Sequence, residues 1–403
     1  MASPHGSRIE MLRKPQFVRF LAGYGAAMAA SSMIPIGITF AILDGGDSVA
    51  QAGRVLAVYA LAAGLAVAAA GTVTGRIGRA RTMLLGSLLS ACSQLGAGVI
   101  MLRFPHPSWP LFMLAAVSGG GQGLASIAMA GAIRQVAGDS DLHTANAIAG
   151  LVGSVCAIAG PAVAGGAAAA DPGWAIVAAG LCNLITATSA AGLAGCRDDA
   201  EGSVLAQFRA GWHAFWELRW LWPVSLYDAA GSLLVFAPFS ILGADVARTS
   251  LGGAGAWGVI LAGEGAGGVL GGILALTIRP SRPLAAAMAG RIAAVAPLTL
   301  LVIRAPLPLI VSAAAVAGVG FEVFAVLWGT TMQRLVPAAS LTSVIATDWL
   351  VITVCAPIGD ALIGPMVRGL GIDGTLWQAA IAVCALSVVV MSLPAIRAVQ
   401  ADP

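Results

Sequence analysis

The sequence predicts an all-α membrane protein of about twelve transmembrane helices in two six-helix parallel-repeat halves, and three observations carry this. Apolar stretches of bilayer-crossing length recur from end to end, basic residues fall in alternate gaps between them, and the second half repeats the first at an offset near 200. Hydrophobic residues are 59% of the 403 and charged residues 10%, against about 25% charge in an ordinary soluble domain. A hydrocarbon core about 30 Å thick takes about 20 apolar residues of helix. A large soluble helical protein would need apolar stripes backed by polar faces, and such faces are mostly absent.

The first half holds spans at 17–43, 52–74, 82–102, 110–135, 143–170 and 173–195. The first is too long for a signal peptide and lacks a small-residue cleavage site, so it is expected to be a retained anchor. Segment 196–221 is the one composition shift, with Arg197, Asp198, Asp199, Glu201, Arg209, Glu217 and Arg219. Its Val204, Leu205, Phe208, Trp212, Phe215, Trp216 and Trp220 recur at helical spacing, which predicts an amphipathic linker lying along the membrane surface. The second half follows with spans at 222–246, 255–278, 284–304, 306–333, 342–366 and 375–396. Three parts result: an N-terminal half 1–195, a linker 196–221 and a C-terminal half 222–403.

Orientation follows from Lys and Arg. With a cytoplasmic N-terminus, the inner gaps and span ends collect sixteen of the 21 basic residues, Arg291 counted among them, and the outer set is Arg54, Arg103, Arg248, Arg304 and Arg368. This predicts both termini inside a cell membrane. The net charge of +3 then reflects topology and points to no nucleic-acid partner. The cysteines (Cys92, Cys156, Cys182, Cys196, Cys355, Cys384) form no CxxC pair and no Cys/His ligand spacing, so neither a disulfide framework nor a metal site is expected. The 52 glycines suit helices packed through small residues, since lipid gives no hydrophobic drive to association.

The internal repeat pairs Gly71 with Gly271, Arg79 with Arg279, and Ile133-Arg134-Gln135-Val136 with Gln333-Arg334-Leu335-Val336. One residue of drift then pairs Cys156 with Cys355 and Gly160 with Gly359. Six spans per half with the same orientation make parallel repeats about an axis along the membrane normal, with a substrate site near the midplane where they meet.

The loop after the second span reads Gly71-Thr-Val-Thr-Gly75-Arg76-Ile-Gly78-Arg79-Ala-Arg81. It resembles the loop signature of the major facilitator superfamily, Gly-x-x-x-Asp-Arg-x-Gly-Arg-Arg, keeping Gly71, Arg76, Gly78 and Arg79 but placing Gly75 where the family has aspartate. The resemblance implies that this loop gates the cytoplasmic side, without the latch that the acid provides. Other stretches resemble the drug and siderophore exporter branch, the enterobactin exporters and macrolide efflux pumps. They are Met332-Gln333-Arg334-Leu335-Val336-Pro337, the glycine-rich Gly263 to Gly271, and Gly160-Pro161-Ala-Val-Ala-Gly165-Gly166. The last is similar to the fifth-span antiporter signature with one extra residue; a Gly-Pro inside a helix removes a backbone bond and permits a kink. Gln122-Gly123 survives in the fourth span, but Ser118 lies near the family's arginine, and Ala29-Ala30-Ser31-Ser32 stands where relatives carry Gly-Asp. The family's N-terminal coupling groups are therefore missing.

No span of the N-terminal half holds an acid well inside the core, whereas the C-terminal half holds Asp228, Glu264, Glu322, Asp348 and Asp360. A carboxylate at the bilayer centre costs roughly 2.5–3.5 kcal/mol, so each must face a cavity, find a partner or stay protonated. Glu264 and Glu322 are the deepest by distance from the span ends. They are expected to share one cavity and to handle protons, with Glu322 the more critical and Asp228 and Asp348 the further candidates. A structural hydrogen bond between helices is the alternative for each. Trp257, Trp328 and Trp349 are candidate cavity rings.

The sequence carries no Gly-x-x-x-x-Gly-Lys-Ser/Thr loop, so nucleotide hydrolysis is not expected to drive it. The resemblance implies a secondary transporter, an antiporter coupling inward protons to efflux of a hydrophobic or amphipathic small molecule. It would act as a monomer in the lipid bilayer with no cofactor, and would confer multidrug resistance. A transporter of a polar metabolite and a non-transporting membrane sensor or scaffold stay open as alternatives. An enzyme is not expected, because no nucleophile constellation or accessible pair of catalytic carboxylates is present.

Overall fold

Runs of Ala, Leu, Val and Gly that cannot expose backbone groups to lipid must close their hydrogen bonds within each segment, which leaves the helix as the spanning element. The computed structural model describes residues 14–104, 108–137, 142–191, 212 and 215–400. The helices are α1 (Pro15–Asp44), α2 (Val49–Ile77), α3 (Arg79–Arg103), α4 (Ser108–Ala137), α5 (Leu142–Ala170) and α6 (Pro172–Ala191). There follow α7 (Leu221–Leu251), α8 (Ala254–Thr277), α9 (Pro283–Val302) and α10 (Leu307–Leu335). The stretch Ala338–Ser392 runs 55 residues and turns at Gly371, whose φ of 74° and ψ of 176° break the helix into α11 (338–370) and α12 (372–392). A short α13 (Pro394–Arg397) closes the set. Among the described residues eleven elements are long and apolar enough to cross a membrane, one of them 50 residues long. At 1.5 Å per residue that one is about 75 Å, enough for two crossings. Twelve spans result.

Turn chemistry sets the boundaries. Pro172 and Pro283 open α6 and α9, Pro306 and Pro337 precede α10 and α11, and Asp171 caps α6 by accepting the Gly173 amide at 2.8 Å. In the loop signature only Gly78 is left-handed (φ 86°), giving a one-residue joint between α2 and α3. Gly75 is helical, and a Cβ there would meet nothing within 4 Å. The turn thus depends on Gly78 and not on Gly75. Gly78→Ala is expected to cost about 1–2 kcal/mol, whereas Gly75→Ala should stabilise by up to about 1 kcal/mol. Denaturation of the two purified variants in matched detergent checks the pair.

The chain divides into two units, Met1–Ala41 with Val58–Ser203, and Ile42–Ala57 with Val204–Pro403. In the first, α3 packs on α4 and α6. Gly86 and Gly121 face each other's backbone, and Gly98 lies on Gly173 and Val177. Glycine lets these backbones approach closely, as lipid-embedded packing requires. A buried polar chain crosses the same three helices: Asn183 Nδ2 donates to Gln94 Oε1 at 2.9 Å, and Gln94 Nε2 donates to Ser118 Oγ at 2.8 Å. Ser118, near the family's arginine position, is therefore an interhelical bonding residue. Gly160 sets α5 against Ser32 and Ala29 of α1, and the helix continues through Pro161 and Gly165; Gly166 meets nothing within 4 Å.

In the second unit α10 packs between α8 and α9. Gly267 sits on the Ala315 carbonyl, Gly318 on the Glu264 carbonyl, and Gly290 and Gly320 lie backbone to backbone. Phe215, expected at the membrane surface, is fully buried in this unit's core with Leu221, Tyr227, Phe324 and Trp328. Residues 196–211, 213 and 214 of the expected linker lie outside the described residues. Gly53 and Ala50, within the segment Ile42–Ala57, lie against Asp360 and Gly364 of α11.

Candidate functional site

The second unit encloses a cavity of about 210 Å³. Its wall is mostly apolar: Val235, Phe236 and Phe239 of α7, Pro297 and Leu298 of α9, Ala314, Ala317 and Phe321 of α10, and Val383 and Leu386 of α12. Its polar groups are Tyr227, Ser232, Glu264 and Arg291. The α7 wall is shaped by a π-helical turn, Ser232–Phe236, in which the Ala237 amide reaches back to the Ser232 carbonyl. Such a turn inserts one residue into an α-helix and re-aims its side chains, a device common at functional sites.

Arg291 is a closely held charge at the cavity. Its guanidinium pairs with Asp228 Oδ1 at 2.6 Å and stands 4.5 Å from the Phe324 ring centroid, 5.2 Å from Phe321 and 5.5 Å from Tyr227. Tyr227 in turn bonds Ser387 Oγ at 2.9 Å. Gly231 leaves room for this arrangement, since a Cβ there would lie 3.1 Å from a guanidinium nitrogen. Asp348 is tied on both oxygens: Ser225 Oγ donates at 2.5 Å and Trp328 Nε1 at 3.2 Å. It links α7, α10 and α11 as a buried bonding node.

Of the acids singled out in the sequence, Glu264 alone lines the cavity. It makes no hydrogen bond or ion pair with any described residue. Glu322 lies elsewhere, with its side chain against Gly271 and Gly272 of α8. The expectation that the two glutamates lie at one depth is corrected by the helix register. Glu322 Cβ lies against Gly271, seven residues beyond Glu264 on α8. Glu322 is then about 10 Å further along the axis. The two carboxylates do not form a pair.

Three more placements follow. Trp257 is buried against Phe239 at 5.2 Å, Trp328 is buried beside Trp220 and bonds Asp348, and Trp349 is 67% exposed; none lines the cavity. Arg291, counted with the cytoplasmic charges, sits eight residues inside α9. Asp245, not singled out in the sequence, is buried and paired with Arg248 at 2.9 Å near the end of α7. Arg291 had a readable signal, an arginine well inside a span whose start is marked by Pro283.

In the loop signature, Gly71, Gly75 and Arg76 belong to the last turns of α2, with Gly75 and Arg76 exposed. Arg79 opens α3 and lays its guanidinium across Gly131 of α4, where any Cβ would displace it. This contact ties the loop to the body of its own unit.

The chain's sequence matches the profile of the Major Facilitator Superfamily over residues 17–359. No curated protein sequence matches it. Among solved structures it is similar to the nucleoside transporter NupG (13% identity, TM-score 0.72, covering 94% of this chain and 97% of that one). It is also similar to a D-xylose–proton symporter (14%, 0.67, 98% and 99%) and to a bacterial homologue of the iron transporter ferroportin in an inward-facing state (16%, 0.70, 94% and 99%). At these identities the likeness is one of fold, and it extends over nearly the whole chain. With twelve spans and a profile match over most of its length, the chain belongs to the major facilitator superfamily, as a multi-pass membrane transporter.

Proposed function

We propose that this transporter is a proton-coupled antiporter that exports a hydrophobic or amphipathic small molecule by alternating access of its two halves, 1–195 and 222–403. The observation that carries the reading is the cavity: an apolar wall with one carboxylate, Glu264, that no described residue partners. Such a group can take and release a proton in a site built for apolar matter. A polar metabolite needs several free hydrogen-bonding groups to orient it. Here Arg291 and Tyr227 are already partnered, which leaves Ser232 and Glu264. We place the protein in the cell membrane as a monomer with both termini cytoplasmic, the bilayer and protons being its other partners.

Everted membrane vesicles loaded by respiration test the transport reading. A lipophilic fluorescent dye should accumulate inside them when a pH gradient is imposed and leave when a proton ionophore collapses it. Accumulation indifferent to the ionophore would contradict proton coupling.

Topology has its own check. Thr82 is fully buried and bonds the Gly78 carbonyl, so a reporter there would be masked. Arg81 and Arg103 are exposed at opposite ends of α3. A cysteine at position 81 should label from the cytoplasm alone and one at position 103 from outside alone. Reversed labelling would overturn the orientation.

The loop should act on gating. Arg79→Ala is expected to slow transport of every substrate alike, since Arg79 packs on Gly131 of α4. Loss confined to one substrate would contradict that role.

A further inference from the structure

We infer that the cavity of the second unit is a binding site for a monovalent organic cation with a flat apolar body, anchored on Glu264; this rests on the transporter reading above and narrows its substrate class. Three observations decide the sign of the ligand's charge. First, the two cavity-lining charges are unequal in availability. Arg291 is neutralised by Asp228 at 2.6 Å and flanked by three ring faces, whereas Glu264 has no partner among the described residues. An anion would have to displace Asp228 from a pair that geometry and the aromatic cage both hold. A cation meets an open carboxylate. Counting Asp228 with Arg291, the ionised site carries one uncompensated negative charge.

Second, the wall suits the same ligand. Phe236 and Phe239 line the cavity beside Tyr227 and Phe321, whose faces Arg291 already covers. Aromatic faces are the negative side of the ring quadrupole and attract cations, more so where water is excluded, so the Phe236 and Phe239 rings are the ones open to a ligand. The remaining lining is aliphatic and gives an uncharged aromatic body a place to bury. Third, about 210 Å³ is below the roughly 300–1,000 Å³ of drug-sized pockets, so the site takes a body of one or two rings.

Three probes with one biaryl body separate the alternatives by calorimetry on the full-length protein in lipid nanodiscs. They are the N-methyl-phenylpyridinium cation, neutral phenylpyridine in alkaline buffer, and biphenyl carboxylate. Wild type should prefer the cation over its neutral counterpart by about tenfold or more and bind the carboxylate least. Glu264→Gln should weaken the cation about 30-fold or more while leaving the neutral probe within about twofold. Equal wild-type affinity for cation and neutral probe, or tightest binding of the carboxylate, would overturn the assignment without recourse to any variant. So would a folded Glu264→Gln protein that holds the cation as wild type does. These are binding measurements, so Glu264-dependent cation binding without proton-driven flux would sustain the site and remove the antiporter reading. Proton-driven flux of neutral amphiphiles alone would do the reverse.

Discussion

Replacing Arg291 by Met is expected to destabilise the C-terminal half by about 3–5 kcal/mol, because it leaves Asp228 in the protein interior with no cation. Asp228→Asn should cost a comparable amount for the mirrored reason. The pair stands 2.6 Å apart with both side chains under a fifth exposed, so solvent screens it poorly. The double variant, Asp228→Asn with Arg291→Met, should recover much of the loss, since the cost lies in the orphaned charge more than in the missing attraction. Thermal unfolding of the four proteins in one detergent gives the cycle. Additive losses would show that the two groups act separately and would contradict the ion pair as the contact that holds Arg291 at the cavity wall.

The second large effect falls on transport. Glu264→Gln keeps size and hydrogen-bonding shape but cannot release a proton, so proton-driven flux is expected to drop to the level of empty liposomes while the protein still folds. Glu322→Gln should be the milder change, because Glu322 lies against Gly271 and Gly272 and not on the cavity wall. That ranking inverts the one the sequence suggests. A Glu322→Gln protein without flux beside an active Glu264→Gln protein would move the coupling site to the α8–α10 groove.

The inversion shows where sequence reading stops. Span positions are written in composition, and among the described residues the span boundaries agree with helix ends to within about five residues, because apolar length is a local property. Even the α11–α12 break was legible as a gap in hydrophobicity around Gly369 and Gly371, although the chain turns there through a single left-handed residue. Relative depth on two different helices is not local. Glu264 and Glu322 look equivalent when measured from their own span ends. Their register is fixed instead by which glycine meets which carbonyl, Gly267 on Ala315 and Gly318 on Glu264. Composition does not encode that choice.

The same limit governs the site. Five of the span acids stand out in the sequence as unusual residues, but partnership decides their roles, and partnership is tertiary. Asp348 turned out doubly bonded by Ser225 and Trp328, and Asp228 ion-paired, while Glu264 was left open to the cavity. Arg291 stands out as an arginine eight residues inside α9, but its pairing with Asp228 of α7 is tertiary and is not written in either span. In the loop signature, the glycine that the turn needs is Gly78, and Gly75, the departure from the family pattern, is a helical position with room for a side chain. The Cβ of Gly75→Asp would therefore meet nothing within 4 Å.

The most direct test of proton-coupled transport uses purified protein in liposomes with a pH-sensitive dye in the lumen. On adding the N-methyl-phenylpyridinium cation outside, protons should leave the lumen as the cation enters, one reaction run in reverse of export. The lumen should turn alkaline with wild type and stay unchanged with Glu264→Gln. Cation entry with no movement of protons, or proton movement that survives Glu264→Gln, would contradict the claim that Glu264 exchanges one for the other.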